Sequence, residues 1–141
     1  MSETERPRVV VGVLAHNEDG EIFLIRSHKW GDRWVVPGGH IEFGEPAEDA
    51  VRREMKEETN LELTDVQFTG MMEGVFPPEF HERRHFIYLH FIARVDGGEV
   101  KLNREAQAHV WIQPEDALAN LTLVPTVARL IEEHKVKNHG T

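Results

Sequence analysis

Glu54, Glu57 and Glu58 stand three and four residues apart in a segment, Pro46 to Thr59, that reads as a helix. On a wheel of about 3.6 residues per turn, residues at these spacings are neighbours on one face. Ala47, Ala50 and Val51 begin an apolar stripe, which continues with Glu54 and Glu58, has Glu57 at its edge, and closes with Leu61. Each like-charge pair costs ~0.2–0.5 kcal/mol even when exposed. Placement in the last turns, at the negative end of the helix dipole, adds ~0.3–1 kcal/mol per charge. A hard divalent cation reverses the sign of every one of these terms. Magnesium suits such a site because it binds through few carboxylates and keeps water and substrate phosphates in its shell. A solvated acidic helix end, neutralised by Arg52, Arg53 and Lys56 pointing largely away, is the alternative that the wheel leaves open.

The elements that must position this helix follow from patterning. Val9 to Ala15 is a β-branched run, His16 to Gly20 a turn-rich cluster, and Ile22 to Ile25 a second run, together a hairpin. Ser27 to Arg33 reads as a loop, Trp34 to Val36 as a short apolar piece, and Pro37-Gly38-Gly39 as a breaker. Pro46 suits the first helical position, Glu48 and Asp49 the first turn, and Asn60 the left-handed stop. Leu63 to Val75 is strand-like with a polar interruption, and Phe86 to Val95 is the clearest strand, turned by Asp96-Gly97-Gly98. Val110 to Ile112 is a short strand, Pro114 starts a brief helical turn, and Val124 to Glu133 is a final helix. Strands, helix, strands and helix in that order predict an α/β sandwich with a mixed sheet.

Bulk properties bound the function. The chain has 141 residues, enough for one domain over 1–141, with polar, aperiodic ends at 1–7 and 136–141 that should fray. A net charge of −9 lacks the electrostatic footprint of a nucleic-acid binder. There is no cysteine, which removes disulfides, thiolate zinc sites and cysteine nucleophiles, and fits a reducing cytoplasm. No segment approaches the roughly 18 apolar residues of a membrane span, so no membrane partner is expected.

The acidic helix and its upstream residues resemble the Nudix box of MutT-like hydrolases, G-x5-E-x7-R-E-U-x-E-E-x-G-U, with U aliphatic. Gly39 is followed after five residues by Glu45, and Glu45 after seven by Arg53-Glu54-Met55-Lys56-Glu57-Glu58-Thr59-Asn60-Leu61. Asn60 departs from the box glycine, mildly, because asparagine also tolerates left-handed geometry. The resemblance implies the Nudix fold, an α/β/α sandwich with a mixed central sheet. It implies hydrolysis of a diphosphate bond in a nucleoside diphosphate derivative by water attack at phosphorus, with Mg2+ as cofactor and Mn2+ as a substitute. It implies metal ligation by Glu54, Glu57 and Glu58, joined by Gly38 through its carbonyl. Arg53, with Glu45, matches the arginine that orients a catalytic glutamate. Glu105, six residues before Trp111, matches a further acidic position, as an added ligand or the base. Glu54 or Glu57 is the first choice for that base, with Glu105 next. A homodimer accords with the family's habit.

The resemblance is thinner on substrate. Pro77 lies about sixteen residues past Leu61, where ADP-ribose-cleaving members carry a proline. The asparagine of members that remove oxidised guanine has no counterpart, since Leu123 falls there. The expected substrate is a small nucleotide, an NDP-sugar such as ADP-ribose or a (d)NTP. A nucleotide-binding module that does not cleave would usually have lost box carboxylates, and this chain keeps them. A diphosphate isomerase of the same fold relies on a cysteine, which is absent.

Other residues carry weaker chemistry. Arg26 and Arg33 are candidates for pairing with phosphates. Phe80, Phe76 and Trp30 are candidates for stacking a base or closing the pocket. His81-Glu82-Arg83-Arg84-His85 spells a zinc-protease motif. It follows Pro77-Pro78 and abuts a strand, and in extended chain its histidines stand ~13 Å apart, too far to share a zinc.

Overall fold

A computed structural model describes residues 5–139, with side chains placed through residue 135. Four of the 1–7 residues and 140–141 lie outside that range. The last helix is Pro125–His139; the fraying expected at 136–141 falls on residues whose side chains, or all of whose atoms, lie outside the described set.

Strand β1 (Arg8–His16) is the centre of the sheet. It pairs in parallel with β6 (His85–Val95) from Arg8↔Phe86 to His16↔Arg94. The long strand β5 (Leu63–Val75) pairs antiparallel with β6 and forms an edge. Its polar interruption is structural, for the register slips between Thr64 and Gln67 and again between Phe68 and Gly70. Strand β2 (Ile22–Ser27) pairs with β3 (Arg33–Val35) and with β7 (Ala108–Ile112). The result is a mixed seven-stranded sheet.

The expected hairpin between β1 and β2 closes at one registered pair, His16↔Ile22. Asn17 makes that closure: its Oδ1 accepts from the Asp19 and Glu21 N–H groups, each at 3.0 Å. Beyond it the strands part, because another partner occupies the β1 edge. Pro37-Gly38-Gly39, expected to break the chain, instead leads into a short strand β4 (Gly38–His40) paired with Val10, Val11 and Gly12. Glycine permits the approach: a Cβ on Gly38 would stand 2.0 Å from the Val11 carbonyl oxygen.

Helix α1 (Ala47–Thr59) starts one residue later than expected. Pro46 is its extended N-cap rather than its first helical residue, at φ −62° and ψ 147°. Asn60 ends it in the left-handed conformation at φ 68°, as its type allows. The helix packs on β1, β4 and β5. Helix α2 (Pro114–Asn120) packs on α3 (Pro125–His139), whose Ile131 lines one small hollow with Leu14 of β1 and Ile92 of β6. The α/β/α sandwich therefore stands as expected. Its core runs from Val13, Phe23 and Leu24 in the sheet to Val51 and Met55 on one side and Leu130 and Ile131 on the other.

Candidate active site

The stripe that α1 buries is centred on Ala50, Val51 and Met55, and it ends on Glu58 and Thr59. Glu58 is only 4% exposed. Its Oε1 accepts the Gly38 N–H at 2.9 Å, so β4 reaches this carboxylate through a backbone donor. Glu54, one turn earlier, is largely covered, and Glu105 arrives from the loop before β7. Oxygens of Glu54, Glu58 and Glu105 lie within 4.8 Å of one another. Burial pushes the Glu58 carboxyl well above the usual carboxylate range, and the nearby Glu54 pushes it further. Burial also raises Glu54, against the opposing pull of Arg53. Burial thus shifts both carboxylates towards the protonated form, Glu58 more than the less deeply buried Glu54.

Arg53 is the organising cation. The helical wheel turned it largely away, but its long stem lets the guanidinium fold back among the acids. Its Nε and Nη2 donate to Glu45 at 2.8 and 3.0 Å, and Nη2 also donates to the His40 carbonyl at 2.9 Å. Nη1 donates to Glu54 at 2.9 Å and to Glu57 at 3.2 Å. The fork holds Glu45 at a pKa of about 2, with the Glu42 N–H assisting. Gly39 completes the cradle, since a Cβ there would stand 2.5 to 2.6 Å from the Glu54 carboxylate. The glycine of the sequence pattern thus makes room for the side chain that α1 delivers.

A cavity of about 210 Å3 opens beside the acids. It is smaller than the roughly 300–1,000 Å3 of a pocket that takes a whole drug-sized ligand. Of the residues singled out from the sequence, Gly38, Glu54, Glu58, Glu105 and Phe80 line it. Phe80 packs against Trp30 in a tilted contact and edge-to-face against Phe86, with ring centroids 4.6 and 5.0 Å away. Glu57 is not in the three-carboxylate cluster; it is 55% exposed and held by Arg53 at the rim. Arg26 and Arg33 do not line the cavity. Ile25 and Ser27 do, so strand alternation sends Arg26 to the other side of β2. Arg33 instead donates to the Trp30 carbonyl at 3.4 Å. Phe76 is exposed and stacks under the Arg83 guanidinium at 3.9 Å. The His81–His85 segment is not helical, which removes the zinc motif.

Sequence reasoning missed several lining residues. Lys29 sits in the short 3-10 turn His28–Trp30, and its Nζ pairs with Glu105 at 3.3 Å. Tyr88 and His90 line the cavity from β6, and the Tyr88 hydroxyl and His90 Nδ1 are buried without a hydrogen-bond partner among the described residues. Burial lowers the His90 pKa to about 4, so the ring is neutral at neutral pH. The β6 residues could have been flagged as polar groups in an otherwise apolar strand. Nothing local marked Lys29.

The donor set fits a hard divalent cation. It offers carboxylate oxygens only, one of them buried, and the positive charges nearby belong to Arg53 and Lys29.

Comparisons with known proteins identify the chain's relatives and fold. The sequence model of the NUDIX domain matches residues 6–133. The nucleoside triphosphatase NudI of Escherichia coli is 31% identical over 120 residues, covering 79% of this chain and 85% of that protein. The m7GpppN-mRNA hydrolase NUDT17 of Xenopus laevis is 32% identical over 125 residues, covering 77% of this chain, and this chain spans only 42% of that protein. The crystal structure of a MutT protein from Methanosarcina mazei superposes with a TM-score of 0.76 at 26% identity, covering 95% of this chain and 97% of that one.

Proposed function

Because this chain belongs to the Nudix family as a MutT-like pyrophosphohydrolase, we propose that it hydrolyses a diphosphate bond in a small nucleotide, with Mg2+ as its cofactor and Mn2+ as a substitute. The observation that carries this reading is the convergence of Glu54, Glu58 and Glu105 within 4.8 Å beside a cavity. Those three carboxylates would hold the metal. When bound, the metal neutralises the pyrophosphate, acidifies a water and stabilises the departing phosphate. The remaining roles belong to the chain. Arg53 holds Glu54 and Glu57 through its one Nη1 while its Nε and Nη2 fork onto Glu45, so the acids keep a set orientation. Glu54, which lines the cavity, and Glu57, at its rim, are the candidates for accepting the proton of the attacking water, with Glu105 next. Trp30, Phe80 and Phe86 wall the cavity with aromatic surface suited to a planar base.

The aromatic wall and the small cavity favour a nucleoside triphosphate or an NDP-sugar whose base enters first. A reducing, cytoplasmic setting is compatible with the cysteine-free chain, and homodimerisation with the exposed Phe68, Met71 and Val75 of edge strand β5.

The test is a substrate panel of ADP-ribose, nucleotide sugars, dinucleoside polyphosphates and (d)NTPs, assayed for phosphate release with and without Mg2+. Wild type should cleave at least one class only with metal. Glu58→Gln should lower that kcat by about a hundredfold or more, since second-shell losses alone reach ~10–100-fold. Equal and negligible turnover by wild type and variant across the panel would overturn the reading.

A further inference from the structure

Lys29 is the one lysine or arginine among the residues lining the cavity. It belongs to the turn after β2, whereas Glu105 lies 76 positions further along. Their meeting is built by backbone ties on both sides. The Gln107 Oε1 accepts the His28 N–H at 2.7 Å, and the Gln107 N–H donates to the Arg26 carbonyl at 2.9 Å. The Lys29 carbonyl accepts the His81 N–H at 2.7 Å, which fixes the same turn to the loop before β6. Lys29 and Glu105 are therefore presented to each other by anchored main chain, although both side chains are about half exposed, at 51% and 45%.

Glu105 also belongs to the three-carboxylate cluster. One carboxylate thus faces two cations in turn, the Lys29 ammonium and whatever metal the cluster holds. A divalent ion held by the cluster competes with Lys29 for the charge of this one carboxylate. Once Glu105 turns to metal, the ammonium is left at the cavity mouth without its counter-charge, beside the place where a polyanion must enter.

Resting on the reading of this cluster as a metal-dependent phosphoanhydride site, we propose that Lys29 is a substrate-phosphate ligand that Glu105 holds in reserve. Metal capture of Glu105 releases it to the diphosphate. Metal and substrate are thereby coupled through a single salt bridge. In the absence of nucleotide the lysine opposes metal binding, and in its presence it assists. Lys29 takes the part that the sequence offered to Arg26 and Arg33.

The experiment uses two probes on the intact chain. Mn2+ binding is measured by calorimetry without nucleotide. Binding of the non-hydrolysable α,β-methylene analogue of ADP is measured at saturating Mn2+. Lys29→Met should bind Mn2+ roughly two- to fivefold more tightly, the range of an exposed salt bridge. The same variant should bind the analogue about tenfold more weakly, as expected for a lost hydrogen bond to a charged group. Lys29→Arg should recover most of the analogue affinity. A merely structural lysine could not move the two affinities in opposite directions. Unchanged or weaker Mn2+ binding in Lys29→Met, or unchanged analogue binding, overturns the coupling while leaving the hydrolase reading intact. Failure of wild type to bind Mn2+ at all overturns the hydrolase reading itself, and the coupling with it.

Discussion

Arg53 shows how much one side chain can organise. It contacts Glu45, Glu54, Glu57 and the His40 carbonyl, linking β4, the loop before α1 and the helix itself. Carboxylates packed this closely would repel one another, and the planar guanidinium meets them along several edges at once. A lysine keeps the charge but offers a single point, so it cannot satisfy that geometry. Arg53→Lys should therefore lower kcat by about 10–100-fold. KM should change far less, because Arg53 does not line the cavity. Steady-state kinetics on the substrate found by the panel would check this, with a normal circular dichroism spectrum showing that the fold survives.

At the scale of elements, the site is a junction between β4 and the end of α1. Two consecutive glycines serve it in different ways. A Cβ on Gly38 would strike the Val11 carbonyl at 2.0 Å, backbone against backbone. A Cβ on Gly39 would strike the far end of the Glu54 side chain at 2.5 to 2.6 Å. Rigid main chain cannot yield, whereas a flexible side chain can. Gly38→Ala should thus cost about 3 kcal/mol of stability, read from urea denaturation. Gly39→Ala should leave stability within about 1 kcal/mol yet lower activity at least tenfold, because Glu54 is pushed from its place. Similar stability losses in both variants would contradict this division.

For the whole molecule, the acid cluster links stability to pH and to metal. Glu58 and Glu54 have raised values in the folded state, so they favour folding in acid and oppose it as pH rises through those values. His90 acts with the opposite sign: lowered from 6.5 to about 4, it contributes stability above 6.5 that is lost as pH falls through about 4. Glu45, held at about 2, also supports the fold above the ordinary carboxylate range. In metal-free protein the melting temperature should fall as pH rises above the ordinary carboxylate range, and Glu58→Gln should flatten most of that decline. Comparing the two proteins at each pH isolates Glu58 from His90. A cation held by the cluster offsets the repulsion. Mg2+ at ~100 times its Kd should stabilise wild type by about 2.7 kcal/mol, or roughly 10 °C, and at one fixed Mg2+ concentration the effect should grow with pH as the affinity rises. A melting temperature insensitive to Mg2+ and to Glu58→Gln would contradict this account.

The sequence alone determined what depends on local chemistry. The spacing of Glu54, Glu57 and Glu58 against an apolar helical face pointed to a cation, and the spacing from Gly39 to Leu61 pointed to the family. The left-handed stop at Asn60 and the strand Phe86 to Val95 were legible because residue type and periodicity act over a few neighbours. What the sequence could not decide was which distant groups meet. The parting of β1 from β2, the insertion of β4 and the exclusion of Arg26 from the cavity all follow from competition for one strand edge and from strand alternation, which are settled only when the sheet assembles. Arg53 pointed away on a rigid wheel, yet a flexible side chain follows the field of the acids around it. Glu57 was indistinguishable from Glu54 and Glu58 by spacing, but the packing of α1 on the sheet buries Glu58 and leaves Glu57 at the rim. Lys29 meets Glu105 across the fold, where Gln107 and the Lys29–His81 tie hold the two loops in place. Helical spacing is a property of a few covalent bonds, whereas salt bridges between loops depend on every element that brings those loops into reach.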